Sequence, residues 1–243
     1  MVSSESAVRP ASLVGAGRTF YRRVRTTVEW SGAIAILLQC FILAAAFGSG
    51  AALLLMVVAA SVTAASLLEN SRHGAVDKIL EPRSWRNALA NVGMATGFAV
   101  VSLIATSNQF RSVFAIGTVA TLAASLSDSL SHEIGVAFGG RPRLITTWHH
   151  VEPGENGGVS LAGSAVGLVS AFGFAALAIF VGLIGLRGAL LAATAACAGN
   201  LLDSVLGATV ERRGLLGNDG VNFSAVFFAG AIVLLIFFAL KLS

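Results

Sequence analysis

Long apolar runs alternate with short polar islands along the whole chain, with no sustained apolar/polar alternation of the kind a half-buried strand shows. Crossing a bilayer as a helix takes about 20 predominantly apolar residues. Seven stretches approach or exceed that length: 31–47, 50–68, 87–107, 113–131, 160–185, 188–210 and 221–241. The first and fourth are short or polar at one end. Only Gly48-Ser49-Gly50 separates the first two, which predicts a tight turn between antiparallel helices. The pattern predicts an all-α polytopic membrane protein of about seven transmembrane helices.

Composition agrees. The 243 residues are 56% hydrophobic and 12% charged, against about 25% charged in a soluble domain. Both cysteines, Cys40 and Cys197, fall in apolar runs and read as small buried hydrophobes, not as a disulfide framework. Residues 1–30 hold no apolar signal-peptide core, so no cleavable leader is expected there. They do hold Arg18, Arg22, Arg23 and Arg25 with Phe20, Tyr21 and Trp30 among them. This reads as a basic interfacial segment on an anionic leaflet, ahead of a single transmembrane domain over 31–243. A basic stretch before a span is a topology signal, and nucleic acid is not an expected partner.

Charge then orients the helices. With the N-terminus in the cytoplasm, only Arg111, Arg187 and Lys241 of the sixteen Lys and Arg residues fall outside. All twelve carboxylates fall inside as well, which the basic-residue rule does not require. The polar chemistry is thus expected in the inner loops 69–86, 132–160 and 211–220, at a site facing the cytoplasm from the inner or plasma membrane. An alternating-access transporter needs polar groups reachable from both faces.

Three constellations stand out. In "SLSDSLSHEIG", 125–135, Asp128 sits where an apolar run meets the inner face. A carboxylate inside a span costs about 2.5–3.5 kcal/mol at its centre and needs a partner. On a helix, Asp128 shares a face with Ser125, Ser131 and His132, while Ser129 stacks on Glu133. In "GNLLDSVLGATVERRGLLGNDGVNF", 199–223, Asp203 again ends an apolar run and is again followed by serine, Ser204; Gly207 and Glu211 continue its face. The two Asp-Ser steps either mark helix ends or put two carboxylates at one membrane depth, able to share a Mg²⁺. The third constellation is 139–160. Arg143, Thr146 and Thr147 supply a guanidinium and two hydroxyls, and Gly157-Gly158 lets backbone N–H groups approach an anion before a helix that starts near Ser160. Asn156 and Ser160 fit as caps or ligand contacts. Those residues compose either a phosphate cradle or an ordinary inner loop with turn glycines.

Softer features complete the pass. Arg83 and Arg86 lie at the expected membrane surface, and Asn87 and Asn91 share a face as the third helix begins. Both pairs also fit an interfacial anchor and a helix cap. His149-His150 has no Cys/His partner at a zinc spacing and reads as loop. Gly163 and Gly167 form a GxxxG pattern that close helix packing explains.

The ordered motifs "SDSLSHEIG", "RPRLITT", "PGENGGVS", "LLDSVLGAT" and "LGNDGVNF" together resemble the transmembrane protein 19 / phytyl-phosphate kinase family over roughly residues 31–241. The resemblance implies a membrane-embedded, Mg²⁺-dependent kinase that passes a phosphoryl group from a nucleoside triphosphate, CTP or similar, to an isoprenoid monophosphate such as phytyl or prenyl phosphate. It implies Asp128, Asp203 and Glu133 as metal-holding and catalytic acids. It implies phosphate or nucleotide contacts from Arg143, Thr146, Thr147, Asn156, Gly157, Gly158, Ser160 and Ser204, with Arg212 or Arg213 as a further clamp. Asn218, Asp219 and Asn222 would meet the nucleotide or a second metal, and Asn87, Asn91 and Ser129 the lipid substrate, with its tail among the Gly/Ala-rich helices. The sequence departs from the family pattern at His132, where a small residue is expected, and at Glu155, where threonine is; donor and substrate preference stay open. A CTP-dependent cytidylyltransferase needs the same groups. A carrier or flippase for a phosphorylated lipid is a further alternative, which the nearly charge-free outer face opposes.

Overall fold

The computed structural model describes residues 29–73 and 84–241. Residues 1–28, which make up nearly all of the basic N-terminal segment, lie outside the described residues, as does most of the 69–86 loop, including Arg83. Among the described residues seven helices are long and apolar enough to cross a membrane: α1 (Trp30–Phe47), α2 (Ser49–His73), α3 (Trp85–Ile104), α4 (Asn108–Phe138), α5 (Leu161–Phe180), α6 (Leu186–Leu206) and α7 (Asn218–Lys241). The all-α, seven-helix expectation holds. Between α4 and α5 lies a two-stranded antiparallel hairpin, β1 (Arg143–Leu144) paired with β2 (Gly158–Val159).

The turn after α1 forms as expected. Gly48 takes φ +87°, a region closed to most side chains, its N–H returns to the Ala44 carbonyl at 2.8 Å, and α2 begins at the next residue. Helix α4 is capped at its start by Ser107, whose hydroxyl accepts from the Gln109 N–H.

α4 differs most from the expected span of 113–131. It has 31 residues, about 46 Å at 1.5 Å per residue, so it outruns the hydrocarbon layer. The expected loop start at residue 132 is corrected: residues 132–138 are helical, and the chain leaves the helix only at Gly139. The physical reason is partnering. The serines that make this stretch polar face other helices instead of water. The Ser127 hydroxyl donates to the Gly167 carbonyl of α5 at 2.9 Å, and the Asn200 amide of α6 donates to the Ser127 and Ser131 hydroxyls at 2.8 and 3.0 Å.

α4 is the central post and packs against α2, α3, α5, α6 and α7. Small residues carry the packing, as between helices in lipid. A Cβ added at Gly163 would meet the Ser131 carbonyl, and one at Gly167 would collide with the Ser131 hydroxyl and the Asn200 amide. At the opposite end of α4, the Phe98 ring lies on Gly117 of α4 and Gly230 of α7. Large apolar side chains such as Ile34, Leu37, Phe41, Val169 and Leu235 point outward, where a soluble protein would place charge.

Candidate active site

One cleft of about 730 Å³ opens at the hairpin end of the bundle. Its walls are the C-terminal turns of α2, α4 and α6, the N-terminal turns of α3, α5 and α7, and the hairpin loop. Six helix ends and the hairpin thus bring the two Asp-Ser steps and the polar 139–160 segment to one end of the molecule.

Asp128 and Asp203 meet there. Their carboxyl groups are in hydrogen-bonding contact across the α4–α6 interface. Two carboxyls that close need a proton or a cation between them. The second oxygen of Asp203, Oδ2, is buried and accepts no hydrogen bond. Glu211 is near enough to act electrostatically on both aspartates, and His132 on Glu211. Asn200, one helical turn before Asp203, ties α6 to α4 directly beneath the pair through Ser127 and Ser131. Glu133 points to a different wall: its carboxylate accepts from the Ser66 hydroxyl of α2. It lines the cleft, but the acid gathered at the aspartate pair is Glu211.

After Leu206 the α-helix gives way to a π-helical turn, Gly207–Glu211, a feature frequent at functional sites. The hairpin docks on this turn. Gly157 has φ +76°, and a Cβ there would overlap Ala208; Gly207 in turn meets the Gly157 backbone. Asn156, Gly157, Gly158 and Ser160 line the same cleft as Asp203 and Ser204. Ser160 caps α5, its hydroxyl accepting from the Gly163 N–H at 3.1 Å.

The remaining cradle candidates build the hairpin instead of lining the cleft. Arg143 donates to the Trp148 carbonyl at 3.1 Å, and Thr146, Thr147, His149 and His150 are exposed at the turn, where Trp148 takes φ +59°. Arg212 pairs with Glu155 at 2.9 Å, tying the loop to the end of α6; Arg213 is exposed. On the far wall a polar chain runs across three helices. The Ser125 hydroxyl meets Asn91 Oδ1, the Asn91 amide donates to the Asn87 carbonyl, and the Asn87 amide donates to Asp219 at 3.5 Å. Asn218, Asn222 and Ser129 also line the cleft.

Five carboxylates line this cleft (Asp128, Glu133, Glu155, Asp203 and Glu211), together with His132 and with no Lys or Arg among the described residues. Arg212 balances Glu155, and the close acids Asp128, Asp203 and Glu211 would repel an anion that entered their end of the cleft alone. One arriving with a divalent cation would not, and magnesium is commonly held by one or two carboxylates plus the phosphates of its substrate. The paired aspartates and the unsatisfied Oδ2 fit that donor set.

The family described as "Integral membrane protein DUF92" matches residues 13–230. The chain belongs to that family. The match, with the relatives below, bears out the resemblance drawn from the motifs. Residues 13–230 take in all the cleft-lining residues described above. An uncharacterized membrane protein of Methanocaldococcus jannaschii is 35% identical over 164 residues, covering 64% of this chain and 63% of its own. One from Synechocystis is 31% identical over 160 residues, covering 64% and 62%. The Arabidopsis thaliana chloroplastic protein VTE6 is 28% identical over 217 residues, covering 86% of this chain and 65% of its own. The chain thus spans just under two thirds of the length of these relatives. No solved structure matches.

Proposed function

We propose that this DUF92 protein is a membrane-embedded phosphotransferase, which moves the terminal phosphoryl group of a nucleoside triphosphate, CTP or a close analogue, onto an isoprenoid monophosphate to give the diphosphate. The observation that carries the reading is the acid pair Asp128–Asp203, shared between two membrane helices in a cleft that no Lys or Arg lines among the described residues. Such a cleft suits a phosphate only as its metal complex. Membership of the family and the relationship to the chloroplastic protein VTE6 support the reading.

The transfer forms a bond between an oxygen of the lipid phosphate and the terminal phosphorus, and breaks the bond from that phosphorus to the bridging oxygen; the nucleoside diphosphate leaves with the electron pair. The nucleophile is already an anion at neutral pH, so the protein needs little base and contributes alignment and charge neutralisation. Asp128 and Asp203 would hold Mg²⁺, which supplies that neutralisation when bound, with Glu211 as a nearby third acid. Asn218 and Asn222 offer neutral donors at the start of α7, and the first turn of α5 presents backbone N–H groups beside Gly157 and Gly158. The docked hairpin forms one wall of the cleft and would limit the access of water, which competes as acceptor. In this reading the cleft faces the cytoplasm.

The test is purified full-length protein in detergent with Mg²⁺, a panel of nucleoside triphosphates, and prenyl monophosphates of several lengths, with products followed by mass spectrometry. A lipid diphosphate with a nucleoside diphosphate, abolished by EDTA and restored by Mg²⁺, is the expected result. A cytidylyl lipid with pyrophosphate would replace the kinase reading by nucleotidyl transfer. No product with any pair would overturn both.

A further inference from the structure

Beside the polar cleft lies a second, narrow cavity of different character. It runs between α1, α2 and α3 and is walled chiefly by Ile36, Leu55, Val58, Ala59, Val62 and Val92. Asn87, Asn91 and Ser129 line both cavities, so the apolar groove adjoins the polar cleft at these side chains. A polar chamber with an apolar slot beside it matches a molecule with a charged head and a hydrocarbon chain, and no purely water-soluble substrate needs the slot. The outer wall is α1, the least buried of the seven helices, whose far side (Ile34, Leu37, Leu38, Phe41) is exposed and apolar. A chain leaving the groove past α1 therefore passes into lipid without crossing a polar surface.

We propose that the α1–α2–α3 groove binds the first part of the hydrocarbon chain of the amphiphile whose phosphorylated head occupies the cleft, with Asn87 and Asn91 at the junction of head and tail. The inference rests on the kinase reading for the identity of the head. It commits α1 to substrate entry and leaves the α5–α6 side of the cleft to the nucleotide and the hairpin.

The test measures binding without nucleotide. Full-length protein in phosphatidylcholine nanodiscs is irradiated with a prenyl monophosphate bearing a diazirine in its first isoprene units, and the labelled peptides are mapped. Label is expected on the α1 and α2 peptides around Ile36 and Val58–Val62, displaced by unlabelled prenyl monophosphate but not by added phosphatidylcholine. Ala59→Phe, which adds a ring to the groove wall, should lower that label about tenfold, the loss expected from excluding two buried methylene groups. It should also lower turnover of long-chain more than of short-chain monophosphates. Label spread over the lipid-facing sides of α5 to α7, equal displacement by phosphatidylcholine, or undiminished label in a folded Ala59→Phe protein would each overturn the proposal. If that variant does not fold, the wild-type map and its competition decide alone. Groove labelling without any phosphotransfer would sink the kinase reading and leave the groove standing; phosphotransfer with label elsewhere would do the reverse.

Discussion

α4 and α6 each carry an Asp-Ser step into the same cleft, yet they present it differently. Asp128 sits within an unbroken α-helix that continues for ten more residues and is packed on five neighbours. Asp203 lies near the end of its α-helix, just before the backbone widens into the π turn on which the hairpin rests. One acid is held by the core of the bundle; the other belongs to a junction between a helix end and a mobile class of element, the loop. The lesson is that two similar sequence steps reach one site by different physical means, rigid packing on one side and a docked backbone turn on the other.

Neutralising either acid is expected to have the largest effect. Asp128→Asn and Asp203→Asn should each lower turnover by roughly a thousandfold or more if the two acids act on one metal-phosphate complex. Both variants should remain inserted, with unfolding temperatures no lower than the parent, since neither change leaves a charge unpaired. A variant at one position that keeps near-normal turnover would show that the two acids do not share a role. Next in size is Gly157→Ala. It puts a side chain at positive φ and against Ala208, and should cost about 2 kcal/mol of hairpin docking. Amide exchange should then show lost protection at the Ile145 N–H, which bonds to the Gly157 carbonyl at 3.0 Å, while the amides of α4 stay protected.

Asn200→Ala removes two hydrogen bonds between α6 and α4. In lipid such bonds average below about 1 kcal/mol each, so a drop of about 1 kcal/mol in detergent unfolding is expected, with turnover reduced through the displaced Asp203. The smallest effect belongs to Glu155→Gln. The Glu155–Arg212 pair is well exposed to solvent, so its loss should cost less than about 1 kcal/mol, and the difference should vanish at high salt.

The spans were legible because they depend on a local property. Twenty apolar residues in a row are visible in the chain itself, and so was the glycine turn at Gly48. The aspartates were legible for a related reason: each ends an apolar run, so depth in the membrane could be read by counting along the helix. The continuation of α4 to Phe138 was not legible, because a serine-rich stretch reads as loop until its partners Gly167 and Asn200 are known. Nor was the division of the loop residues. Arg143 bonds within the hairpin to the Trp148 carbonyl and Thr146 and Thr147 are exposed at its turn, while Asn156, Gly157 and Gly158 line the cleft. Asn200 and Ser66 carried no sequence signal beyond being polar within apolar runs. Glu211 was visible on the face of Asp203, while Glu133 drew attention by lying near Asp128 in sequence; on a helix five residues apart, the two point to different walls.

The sequence alone determined that this is a seven-helix membrane protein with its acids gathered at one end. Apolar length and charge position act segment by segment, so each can be read without knowing the others. Only the tertiary structure decided that Asp128 touches Asp203, that Gly157 presses on the π turn, and that a largely apolar groove adjoins the polar cleft beside α1. Those facts depend on how closely small residues let separate helices approach, and that distance is a property of pairs of segments, written in neither one.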